Sequence, residues 1–174
     1  MPQPQFDKLD FRRAYRGADA PGKAALILAT WFGAGLFPVA PGTAGTVAAV
    51  PLVLITAHAG MVARGLILFI LTAAAVFVSG RAGELLGTPD PPAVVIDEAA
   101  GFVTAVFFLP PGGTYLLLGF VLFRFFDILK PWPIKRVERL GGGFGIVMDD
   151  LLAGLYASAA AAVIVFLWDL FPGA

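Results

Sequence analysis

Long apolar stretches, separated by short breaks rich in proline and glycine, dominate the chain from Ala24 onward. The first, Ala24 to Phe37, is interrupted by Gly33 and Gly35. It falls short of the ~20 residues a helix needs to cross a bilayer, so an interfacial or re-entrant segment is expected. Residues 38–46 read as a turn-rich passage opening into a helix that Val47 to Ala59 continues through the membrane, with His58-Ala-Gly60 closing it. Val62 to Ser79 is the next span. Residues 80–92 form a polar loop in which Pro89, Pro91 and Pro92 prevent helix continuation. Val94 to Leu109 and Thr114 to Leu129 are two apolar arms split by Pro110-Pro-Gly-Gly113, the pattern of a tight helical hairpin. A basic loop runs from Lys130 to Met148, and Leu151 to Phe171 is the last span, ending at Pro172. The pattern predicts an all-α, polytopic membrane bundle of about four to five apolar helices. Residues 1–23 are expected as a cytoplasmic N-terminal tail and residues 24–174 as a single integral-membrane domain.

Composition supports lipid as the solvent. The 174 residues are 59% apolar and 14% charged, against roughly 45–50% and about 25% in soluble domains, and mean hydropathy is +0.86. Net charge is zero, which leaves no excess of cations for a nucleic acid partner. There is no cysteine and one histidine, His58, so thiolate chemistry and histidine clusters are excluded. Any chemistry falls to carboxylates, hydroxyls, Lys and Arg. Lys8, Arg12, Arg13, Arg16 and Lys23, mixed with Asp7, Asp10 and Asp19, are unlike a signal peptide. With this end in the cytoplasm, the loops at 80–93 and 130–148 share its side, and of all Lys and Arg residues only Arg64 lies across the membrane.

Carboxylates in apolar segments are expensive to keep there and mark function by default. Asp97 and Glu98 open the first hairpin arm, Asp127 ends the second, and Asp149 and Asp150 are expected to start the final helix. All five then meet one membrane face. Each has a plainer explanation: helix capping for Asp97, Asp149 or Asp150, and pairing of Asp127 with Arg124 or Lys130 at i,i+3. Two adjacent acidic pairs nevertheless repel unless a cation is present, and a hard divalent ion on oxygen ligands, Mg²⁺ foremost, is the expected counter-charge. Arg124 and Lys130 are candidates to grip a phosphate on that metal, Lys130 the better because Pro131 and Pro133 stiffen the chain after it; Lys135, Arg136 and Arg139 suit general attraction to anionic lipid. In Ala40-Pro-Gly-Thr-Ala-Gly-Thr46, Thr43 and Thr46 are candidate phosphate donors ahead of a helix N-terminus, although the passage lacks the Gly-Lys-Ser/Thr ending of a Walker loop. Gly141-Gly-Gly143 reads as a flexible turn. Phe120, Phe123, Phe125 and Phe126 read as packing or lipid-facing residues, and Trp132 as an interfacial anchor.

Four motifs in order resemble the phosphatidylglycerophosphatase A family: Ala29-Thr-Trp-Phe-Gly-Ala-Gly35 with Ala40-Pro-Gly-Thr-Ala-Gly-Thr46, Asp97-Glu-Ala-Ala-Gly101, Phe123-Arg-Phe-Phe-Asp-Ile-Leu-Lys-Pro-Trp-Pro133, and Gly143-Phe-Gly-Ile-Val-Met-Asp-Asp-Leu-Leu-Ala-Gly154. The resemblance implies a Mg²⁺-dependent lipid phosphatase, multi-pass in the bacterial inner membrane, that turns phosphatidylglycerophosphate into phosphatidylglycerol and inorganic phosphate at the cytoplasmic face. On this view Mg²⁺ sits on a subset of Asp97, Glu98, Asp127, Asp149 and Asp150, a remaining carboxylate (Glu98 by assignment) is the general base, and Lys130 and Arg124 offset phosphoryl charge. A phospho-Cys or phospho-His intermediate is excluded; a phospho-aspartate is not. Two other classes compete. A CDP-alcohol phosphotransferase would carry an Asp-Gly-x-x-Ala-Arg signature, which is missing. A non-catalytic lipid carrier would tolerate loss of the carboxylates.

Overall fold

The computed structural model describes residues 8–170, and among them there are α-helices and short 3-10 turns but no strand. Helix α1, Lys8–Gly17, turns Phe11, Ala14 and Tyr15 inward onto the core and leaves Arg12, Arg13 and Arg16 exposed. The expected tail is therefore helical over this stretch; residues 1–7 lie outside the described residues. Helix α2, Ala20–Ala29, starts ahead of the apolar run at Ala24 because Asp19 caps it, its Oδ1 accepting from the Gly22 N–H at 3.0 Å, with Pro21 in the first turn. The helix stops at Ala29, and Trp31 and Phe32 follow in left-handed conformation before a 3-10 turn at Ala34–Leu36. The stretch from Ala24 to Phe37 is thus broken in the middle and makes no single crossing.

Helix α3, Pro41–Thr56, begins earlier than the apolar pattern indicated. Residues Pro41 to Thr46, expected as turn, form its first turns: proline at the start of a helix has φ already set and sacrifices no hydrogen bond there. Helix α4, Met61–Leu86, is stopped by Gly87 in left-handed conformation. Helices α5, Ile96–Ala105, and α6, Gly113–Leu129, form the hairpin, divided where Pro110-Pro-Gly-Gly113 placed the break. A short α7, Ile134–Val137, leads to α8, Gly142–Leu170.

About four to five apolar helices were expected; among the described residues, two are long and apolar enough to cross a membrane, α4 with 26 residues and α8 with 29. The prolines and glycines that punctuate the sequence cut the others short. Helix α5 has 10 residues, a rise of about 15 Å against a hydrocarbon core of ~30 Å, and does not span.

Although short, α5 is the centre of the bundle. All its residues except Glu98 are buried, and α8, α3, α4 and α6 pack around it. Small residues permit the closeness of these contacts. A Cβ on Gly101 would strike Phe123 and the Asp150 carbonyl, and one on Gly154 would strike the Gly101 carbonyl. Gly143 likewise lies against the Val76 carbonyl of α4. Small residues that let backbones approach this closely are the packing that holds apolar helices together. The outer faces of α4 and α8 carry exposed Phe69, Ile70, Phe77, Phe166 and Trp168, an apolar surface suited to lipid.

Candidate active site

The acidic residues are brought together from three helices. Asp97 and Glu98 occupy the first turn of α5 as expected. The start of that helix is fixed by the Val95 N–H, which donates to the Ala29 carbonyl at 2.8 Å. Asp149 and Asp150 do not start the final helix: α8 begins at Gly142, so both lie well inside it. Asp149 Oδ1 accepts from the Asp150 N–H at 3.1 Å, but both residues lie beyond the first turn, whose free N–H groups a capping acid serves, so capping of the helix start no longer explains them. Of the glycines expected as a loose turn, Gly141 stays outside the helix, while Gly142 and Gly143 are drawn into it, Gly143 packing where a side chain would not fit against α4. Asp127 is in the last turn of α6 and pairs with Arg124, Nη1 to Oδ2, at 2.7 Å. Lys130 caps α6 in left-handed conformation (φ 44°), and its Nζ donates to Asp149 Oδ2 at 2.7 Å.

All five acids, Arg124 and Lys130 line one cleft of about 410 Å³. Within it, Asp97, Glu98 and Asp150 offer oxygens that lie within 4.8 Å of one another. Asp127 and Asp149, each paired with a cation, stand beside this group rather than in it. Asp97 and Asp150 are 7% and 5% exposed, and Asp97 Oδ1 and Glu98 Oε2 are buried without a hydrogen-bond partner. Burial raises the pKa of both acids of α5, with the neighbouring carboxylates adding to the rise at Asp97; Glu98 is pushed up to about 7. Three carboxyl groups at this spacing, two of them buried and the third half-buried, cannot all be charged without a cation among them.

The hydroxyls expected to bind phosphate are elsewhere. Thr46 is fully buried, and its Oγ1 donates to the Gly42 carbonyl at 2.9 Å, so it braces α3 from within. Thr43 is half-buried and does not line the cleft. The same motif does reach the site through Pro41 and Gly42. A Cβ on Gly42 would run into the Glu98 carboxylate and crowd Arg124, so the glycine lets the start of α3 close over both. Asp90 also lines the cleft, a residue that attention to acids in apolar segments passes over. Its signal was the setting Pro89-Asp90-Pro91-Pro92, which pins one carboxylate between rigid neighbours. His58 follows the far end of α3 and is remote from the cleft. Trp132 is exposed, with its carbonyl accepting from Tyr156 Oη at 3.2 Å.

Fold and cleft together define a helical bundle with membrane-length helices, built around a buried, carboxylate-rich site. The family model for phosphatidylglycerophosphatase A matches residues 27–165, which include every residue of that site. The chain belongs to this family of phosphoric monoester hydrolases. It is 32% identical over 146 residues to phosphatidylglycerophosphatase A of Escherichia coli, covering 83% of this chain and 85% of that one. With phosphatidylglycerophosphatase A of Haemophilus influenzae the identity is 38% over 138 residues, 75% and 82% of the two chains. A protein of Bacteroides thetaiotaomicron, provisionally named a phosphatidylinositol-3-phosphatase, is 35% identical over 153 residues, 82% of this chain and 94% of that one. No solved structure matches the chain.

Proposed function

We propose that this protein is a Mg²⁺-dependent phosphatase that hydrolyses phosphatidylglycerophosphate to phosphatidylglycerol and inorganic phosphate at the cytoplasmic face of the bacterial inner membrane. The observation that carries the reading is the convergence, in one cleft of a phosphatidylglycerophosphatase A chain, of Asp97, Glu98 and Asp150 with the cations Arg124 and Lys130. The site suits a small hard cation: its donors are all carboxylate oxygens, and Asp97 Oδ1 and Glu98 Oε2 are buried with no hydrogen bond to satisfy them. Asp97 and Asp150 would hold Mg²⁺, which when bound neutralises their charge and polarises a phosphoryl oxygen, and Glu98 beside them is left free to act as a base.

The chain's own groups account for the rest. Arg124 and Lys130 draw the phosphate dianion into the cleft and offset the charge on its oxygens as the bond to the leaving group weakens. Asp127 and Asp149 hold those two cations in place. The start of α3, where Pro41 has no N–H and the next amides have no helical partner, presents Gly42 to the anion. A water attacks phosphorus and gives its proton to Glu98. The bond from phosphorus to the glycerol oxygen breaks, and that oxygen takes up a proton to leave as the alcohol of phosphatidylglycerol.

Phosphate release from phosphatidylglycerophosphate by the purified protein tests this, with Mg²⁺ and with excess EDTA. Release that EDTA abolishes and Mg²⁺ restores is expected; no release from folded protein sinks the proposal. The Bacteroides relative favours one competing substrate, a phosphoinositide monoester. Phosphatidylinositol 3-phosphate in the same assay decides between the headgroups by kcat/KM.

A further inference from the structure

We infer that the acyl chains of the lipid substrate lie along the outer face of α6, so that lipid enters the cleft over this helix, past Arg124. The inference rests on the lipid phosphatase reading and adds where on the bundle the lipid sits. Arg124 is the hinge of the argument. It lines the polar cleft, and it also lines a shallow apolar depression of about 400 Å³ on the outside of α6, together with Val121, Phe125, Ile128 and Leu129. Headgroup site and apolar surface therefore meet at one side chain, as a molecule with a phosphate at one end and hydrocarbon at the other requires.

The spacing along α6 extends this surface into a track. Leu117, Val121, Phe125 and Ile128 are all exposed and recur at intervals of four, four and three, which places them on one stripe of the helix. Phe123 and Gly119 face the other way, Phe123 against Gly101 of α5 and Gly119 against Val106 just beyond its end. From Ile128 to Leu117 the helix rises about 16 Å, the depth of one leaflet of a hydrocarbon core ~30 Å thick. The cleft opens at the Ile128 end. A phosphate held by Arg124 thus leaves its own acyl chains in register with this stripe, with no need to leave the leaflet.

Phosphatidylglycerophosphate bearing a diazirine midway along one acyl chain, in phosphatidylcholine vesicles containing the full chain, tests the placement directly. Photolabelling is expected to concentrate on the peptide with Leu117, Val121 and Phe125 over the more exposed Phe69 and Ile70 of α4, and unlabelled phosphatidylglycerophosphate should displace it. Even labelling of α4 and α6 that competitor leaves unchanged would overturn the inference. Kinetics give a second reading. Val121→Trp, a change at an exposed position, should raise KM for the lipid about tenfold, the equivalent of losing a couple of buried methylenes. It should leave kcat/KM for the deacylated headgroup, glycerophosphoglycerophosphate, unchanged, and Ile70→Trp should alter neither. An equal loss on both substrates, or none on either, contradicts the track. If the unaltered protein releases no phosphate from any lipid, the phosphatase reading fails, and the labelling pattern alone then decides the track.

Discussion

Lys130 Nζ, at the end of α6, sits 2.7 Å from Asp149 Oδ2 inside α8, joining two helices at the rim of the cleft. The chain accepts strain to achieve this. Lys130 takes a left-handed φ of 44°, a conformation that costs a side-chain-bearing residue ~1–3 kcal/mol and that glycine would adopt freely. An ordinary helix ending would carry glycine here. A lysine held in this conformation, aimed into a cleft of carboxylates, fits a group retained for its charge.

Replacing that charge separates its two roles. Lys130→Met should destabilise the protein by about 2 kcal/mol, below the ~3–5 kcal/mol of a fully buried pair, because Lys130 keeps 27% exposure while Asp149 keeps 7%. Adding Asp149→Asn should restore most of the melting temperature, since no buried carboxylate is then left uncompensated. Activity should stay at least 100-fold down in both variants. Recovery of turnover along with stability would make the pair structural and remove Lys130 from the chemistry.

Two glycines predict opposite behaviour. At Gly42 a methyl group would meet the end of the Glu98 side chain, which can swing aside. Gly42→Ala should keep or slightly raise stability, given alanine's advantage of ~1 kcal/mol in a helix, and reduce kcat/KM by about tenfold or more as Glu98 and Arg124 are displaced. At Gly143 the obstacle is the backbone of α4 at Val76, which cannot yield. Gly143→Ala should lower the melting temperature markedly. Thermal melts and phosphate release on the two variants, side by side, check the contrast.

How much of this was legible beforehand follows from how local each cause is. The hairpin break at Pro110–Gly113 and the choice of acids in apolar segments as candidates depend on residue type alone, and the structure places the break there and gathers those acids in one cleft. The true starts of α3 and α8 were hidden. The first turns on proline tolerated at a helix start, and the second on how closely Gly143 approaches another helix, which a sequence does not display. Which acids group together was hidden for the same reason. Asp97, Glu98 and Asp150 converge, while Asp127 and Asp149 pair with cations, and that choice depends on helix rotation across the bundle. Thr46 looked like a ligand by composition, but its hydroxyl is spent on its own helix.

The raised pKa of Glu98 carries a sign that can be read without substrate. In metal-free protein the folded state holds its proton up to about 7, whereas the unfolded chain releases it near 4.5. The contribution to stability is complete below the lower value and is lost as pH rises toward the upper one. Asp97 shifts in the same direction. Melting temperature in EDTA should therefore fall between about pH 4.5 and 7, Glu98→Gln should flatten the fall, and Mg²⁺ should do the same in the unaltered protein. A melting temperature that rises steadily across this window in EDTA contradicts the burial-driven shift.

Asp150→Asn distinguishes a metal ligand from a structural acid through stability alone. Asp150 is buried in mid-helix against two other carboxyl groups, with no place as a cap. In EDTA, removing one of three crowded acids should raise the melting temperature, because the pair that remains repels less. The unaltered protein should gain about 2.7 kcal/mol at a Mg²⁺ concentration a hundred times its dissociation constant, and Asp150→Asn should lose most of that gain along with at least 100-fold in turnover. A carboxylate kept for packing would behave in the opposite way, losing stability in EDTA and keeping its response to Mg²⁺. Melting curves of the two proteins with and without Mg²⁺ are sufficient to tell these cases apart, and they depend on no assumption about the substrate.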